Sequence, residues 1–96
     1  MPGFAHIFLL GTEPQKYGKI VPQYQFNYTM GGNSYVRVFD EKGLEQFLGS
    51  EIGMTPEMVD KAMQELRQLG KTTIAHVEIP EHQAPALGLQ QLPADY

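Results

Sequence analysis

Three histidines, His6, His76 and His82, are the side chains in this 96-residue sequence best suited to hold a metal or to move a proton. His76 and Glu78 are two residues apart, so on a strand their side chains share one face. Pairing of the first and last strands would bring His6 toward them, and His82 follows shortly after. His6, His76, Glu78 and His82 are therefore the candidate set for zinc, which takes imidazole and carboxylate ligands. Neither HxH nor HxxxH spacing occurs. The more ordinary reading is three unrelated histidines, one half-buried in a sheet, one exposed on it and one in a loop. No metal or other cofactor is expected.

Other chemistry has less to stand on. Ser34 and Ser50 are the serines, and neither sits in a Gly-x-Ser-x-Gly elbow. Gly31-Gly32-Asn33 is followed by no helix and no Lys-Ser/Thr pair, so it reads as a turn rather than a phosphate cradle. Asp40-Glu41 is better explained as a helix start than as an acid/base pair. Tyr24, Tyr28 and Tyr35 could stack a flat ligand or a base. Alternation with Phe26 and Met30, however, places Tyr24 and Tyr28 on the core-facing side.

These residues need elements to position them. Phe4 to Leu10 is apolar at odd and even positions alike, apart from His6, and reads as a strand buried on both faces. Gly11 to Pro22 reads as a loop, with a short extended piece at Lys19-Ile20-Val21. From Gln23 the pattern alternates strictly: Tyr24, Phe26, Tyr28 and Met30 point one way, and Gln23, Gln25, Asn27 and Thr29 the other. Gly31-Gly32-Asn33 turns the chain, and Ser34 to Phe39 returns as the second arm of a hairpin.

Asp40 can cap a helix over Glu41 to Glu51, with Leu44, Phe47, Leu48 and Ile52 at helical spacing. Gly43 and Gly49 each cost that helix about 1 kcal/mol relative to alanine. Thr55 is an N-cap for a second helix, Pro56 to Leu69, and Gly70 ends it. Val59, Ala62, Met63, Leu66 and Leu69 form its apolar face, and Glu57 and Lys61 an i,i+4 pair. Thr72 to Ile79 is β-branched and stops at Pro80, the last strand. The order β-β-β-α-α-β predicts a single α+β domain over residues 1–80, a mostly antiparallel sheet with two helices packed on one face. Residues 81–96, with Pro85, Pro93 and three leucines, read as a C-terminal tail, extended or partly disordered, lying across the domain or ordering on a partner.

Composition narrows the function classes. Seven basic against eleven acidic residues give a net charge of −4, which opposes nucleic-acid binding. The chain has no cysteine, which removes disulfides and thiolate chemistry and favours a reducing, cytoplasmic setting. Its longest apolar stretch is too short to span a bilayer, and a secretory leader is not expected.

Helix, break, Pro-started helix and strand in succession resemble the order in winged-helix DNA-binding domains. That resemblance picks out no family, three strands precede the helices, and Glu57 and Asp60 at the start of the second helix would repel phosphates. The expected function is a small non-catalytic module acting on a protein partner or on itself. Gln23, Gln25, Asn27, Thr29, Leu87, Leu89 and Leu92 are its contact residues. DNA binding is the first alternative, and small-molecule or metal binding through His76 and Glu78 the second.

Overall fold

Strict two-residue alternation commits Gln23–Met30 to a one-sided strand, and the rest of the sheet is built around it. A computed structural model describes residues 3–14 and 20–93, and the backbone alone for 12–14, 20 and 21. Strands β1 (Gly3–Pro14), β2 (Ile20–Met30) and β3 (Asn33–Asp40) come first in the chain. Helices α1 (Glu41–Ser50) and α2 (Pro56–Leu69), then β4 (Lys71–Val77), follow. Two short 3-10 turns, Glu81–Gln83 and Pro85–Leu87, lead to β5 (Gln90–Gln91). All neighbouring strands are antiparallel, in the spatial order β4-β1-β2-β3-β5. The fold is the expected α+β class, with a fifth short strand added from the C-terminal segment.

Local chemistry explains the element ends. Gly31 and Gly32 both adopt positive φ, which a two-residue hairpin loop with the native twist requires. Asp40 caps α1 by accepting from the Gly43 N–H at 2.7 Å. A Cβ on Gly43 would stand 2.8 Å from that carboxylate oxygen, so the glycine that weakens the helix interior also admits its cap. Thr55 caps α2 through the Met58 N–H, Pro56 occupies the first turn, and Gly70 closes the helix in the left-handed conformation. The Gly70 carbonyl then accepts from the Leu9 N–H at 2.8 Å, tying the end of α2 to β1.

Both helices lie on the sheet face that carries Ala5, Ile7, Tyr24, Phe26 and Tyr28, all essentially sealed from solvent. Phe47 of α1 meets Phe26 edge-on at 5.2 Å and Phe39 at 4.8 Å. Leu44, Leu48, Met63 and Leu66 complete the layer. Glu57 and Lys61 make no ion pair; Arg67 reaches from α2 to Glu41 of α1 at 2.9 Å instead, an exposed contact that orients more than it stabilises.

Three expectations need correction. Strand β1 is buried on one face only: Phe4, His6, Phe8 and Leu10 are exposed, because both helices cover the opposite side. The described part of the segment read as a loop from Gly11 is strand, since β1 runs to Pro14 and β2 starts at Ile20, while residues 15–19 lie outside the described residues. A bulge at Leu10, eased by Gly11 at φ 116°, lets β1 keep pairing past the glycine. Finally, β4 ends at Val77 rather than Ile79, where the chain leaves the edge of the sheet.

The Tyr28 hydroxyl holds that departure. It donates to the Val77 carbonyl at 3.0 Å and accepts from the buried Ile79 N–H at 3.2 Å. Replacing Tyr28 with Phe strands a buried donor and acceptor, so urea unfolding of Tyr28→Phe should show a loss of about 1–3 kcal/mol. An unchanged midpoint would mean that the hydroxyl is dispensable.

Candidate functional site

The residues singled out for metal chemistry do not converge. His6 pairs across the sheet with Thr73, and its Nδ1 lies 3.1 Å from the Thr73 hydroxyl oxygen. His76 adopts φ 60° in an irregular stretch of β4, so the alternation that would align it with Glu78 is broken. Glu78 and His82 are exposed on the segment beyond the strand. Among the described residues no three His, Asp or Glu side chains are placed to hold a metal ion. His76 instead lines a groove of about 430 Å3 between α2 and the edge strand β4, with Met54, Met58, Ala62 and Ile74. Glu65 in that groove is already engaged by the Thr72 hydroxyl.

The tyrosines belong to the core side. Tyr24 is buried, and burial, then the neighbouring Glu41 carboxylate, push its phenol above the usual range. Tyr35 is pushed up likewise by burial and by its hydrogen bond to Glu81.

Two of the three C-terminal leucines turn inward. Leu89 is 4% exposed and joins the core with Ile79 and Ala84, while Leu87 packs against it and Leu92 is half-buried. The chain from Ala84 to Leu89 therefore packs against its own domain, and Gln90–Gln91 extend the sheet beside β3; residues 94–96 lie outside the described residues. Side chains of β3 fasten it. Arg37, stacked 4.4 Å over Phe39, donates to the Leu87 carbonyl at 2.7 Å. Glu81 accepts from Tyr35 at 2.9 Å and from the Asn33 amide at 2.7 Å. The Leu92 N–H donates to the Ser34 carbonyl at 2.8 Å.

What remains open is the second face of the sheet. Gln23, Gln25, Asn27 and Thr29 lie on it, as alternation required. Beside them stand apolar residues whose types alone suggest burial: Phe4 is 55% exposed, Phe8 39% and Leu10 52%, and on β3 Val38 is 51% exposed. The pairing sets these in rows across the strands, Lys71–Phe8–Gln25–Val38 and Thr73–His6–Asn27–Val36–Gln90, with Phe4–Thr29–Ser34 beyond. The face thus has an amide column on β2 between an aromatic column on β1 and a valine column on β3. Among the described side chains its charge is sparse. Lys71 stands at one edge, and Asp40 near the other has its carboxylate committed to the α1 cap. The hint in the sequence is the interruption of the first apolar run by His6, which fits the even-numbered, exposed set.

Glu81 gives the fastening of the C-terminal segment a pH signature. Hydrogen bonds from Tyr35 and then Asn33 lower its carboxyl below the ordinary range. A depressed acid stabilises the fold above its unfolded-state pKa, and that contribution fades as the pH falls through the folded value. Glu81→Gln should therefore lower the unfolding midpoint at neutral pH and flatten its decline in acid; parallel declines for both proteins would contradict this origin. In comparisons with known proteins, no family model matches the chain, and no curated protein or solved structure is significantly similar to it.

Proposed function

We propose that this protein is a small non-catalytic docking module that acts in the cytoplasm by binding protein through the open face of its sheet. The observation that carries this reading is the exposure of Phe4, Phe8 and Val38 on the side of the sheet opposite the two helices. Phe4 and Phe8 on one side of the amide column and Val38 on the other mix apolar and uncharged polar groups on one face, as protein contact surfaces do. Scarce charge on the face suits a protein partner, since interface centres are depleted in charged groups.

The alternatives have less support. The N-terminal turn of α2 is acidic and its apolar stripe is used against the sheet, which disfavours a recognition helix. The α2/β4 groove gathers His76, Lys61 and Glu65, but Glu65 is already engaged by the Thr72 hydroxyl, which disfavours chemistry there. No helix among the described residues is long and apolar enough to cross a membrane. The absence of cysteine in the chain supports the cytoplasmic setting.

A docking residue differs from a packing residue in what its loss does. Phe8→Glu should cost about 1–2 kcal/mol of folding stability, because the ring at 39% exposure buries only part of its area, whereas Phe26→Ala should cost about 3–5 kcal/mol. Affinity capture with the wild type, Phe8→Glu and the helix-surface variant Met58→Glu then separates the readings. Partners held by the wild type should be lost with Phe8→Glu and kept with Met58→Glu. The same proteins retained by all three would end the proposal.

A further inference from the structure

We infer that the partner of the open face is a second copy of this chain, packed sheet against sheet about a two-fold axis. This rests on the docking reading above and adds the occupant. Charge is the first ground. The chain carries a net charge of −4, so two copies repel one another over most of their surfaces. On the open face the described charged side chains are the edge residue Lys71 and Asp40, whose carboxylate is occupied in the α1 cap. Among the described side chains, two copies meet there without opposing carboxylates that are free. A single-stranded nucleic acid would instead want a track of cations, and Lys71 alone does not make one.

The second ground is self-complementarity. An isologous interface needs a pattern that matches its own image, so that residue i meets j while j meets i. The row His6–Asn27–Val36 runs across β1, β2 and β3. Phe4 and Phe8 flank it on β1, Thr29 and Gln25 on β2, and Ser34 and Val38 on β3. A two-fold axis along this row sets Phe4 of each copy opposite Phe8 of the other. It sets Val36 opposite Val36 and Asn27 opposite Asn27. Amide side chains donate and accept at once, so the β2 column can hydrogen-bond to its own image without any charged group. Facing sheets pack about 10 Å apart with strands near 30° to one another, and the axis allows that arrangement.

Area is the third. Four strands spaced about 4.8 Å apart and seven residues rising about 3.4 Å each cover roughly 19 by 24 Å, somewhat over 400 Å2 in projection. Protruding rings raise the accessible area above its projection, toward the roughly 600 Å2 per partner at the small end of stable interfaces.

The absence of native cysteine makes a direct test clean. Asn27→Cys places a thiol on the proposed axis, and Gln64→Cys places one on the exposed side of α2. The full chain is expected to be a dimer by light scattering. A short bismaleimide should link Asn27→Cys into a covalent dimer and leave Gln64→Cys monomeric. Adding Phe8→Glu, or Val38→Lys should the first variant fold poorly, should raise the dimer dissociation constant roughly thirtyfold or more and abolish the link. A wild type that stays monomeric at every concentration, or equal linking at both positions, would overturn the proposal. If a monomeric wild type still captures a different protein through Phe8, the docking reading survives and the second-copy proposal falls.

Discussion

The two-residue period of a β-strand divides every strand of this sheet into a covered set and an uncovered set, and both helices sit on the same side. Everything else follows from that placement. Ala5, Ile7, Tyr24, Phe26 and Tyr28 belong to the covered set and are sealed beneath α1 and α2. Phe4, Phe8 and Val38 belong to the other set, although their side chains are no less apolar. The hydrophobic effect drives both sets out of water, but folding of one chain satisfies only the first.

The C-terminal segment shows how the covered side is completed. Two helices do not reach the β3 edge fully, and Ile79, Ala84 and Leu89 fill the remainder. Polar groups then hold that segment: the Tyr28 hydroxyl between Val77 and Ile79, Glu81 between Asn33 and Tyr35, and Arg37 on the Leu87 carbonyl. Leu87 and Leu89, which suggest a docking tail when read alone, are thus packed within the molecule. The surface available to others is correspondingly narrower and better defined.

Features set by neighbours along the chain are legible in the sequence itself. Thr55, Pro56 and Gly70 delimit α2 to the residue because caps act over three or four positions. Strand β2 is legible because its alternation is strict. The exposed face of β1 is not, since Phe4 to Leu10 is apolar at every position but one and leaves that choice to whatever packs against it. The left-handed His76 is equally hidden, because its conformation comes from the irregular pairing of β4 with β1 rather than from its own preference. For the candidate site, alternation alone assigns Gln23, Gln25, Asn27 and Thr29 to one face. The phenylalanines beside them depend on strand pairing, which short sequence windows do not carry.

If copies of the chain meet through the uncovered face, solvent access to its side chains reports on it directly. A soluble paramagnetic relaxation agent should broaden the side-chain proton signals of Phe4, Phe8 and Val38 in dilute solution. As the protein is concentrated, that broadening should weaken at Phe8 and Val38 while the exposed Met58 methyl on α2 stays equally accessible. Broadening that is independent of concentration at Phe8 and Val38 would contradict that association.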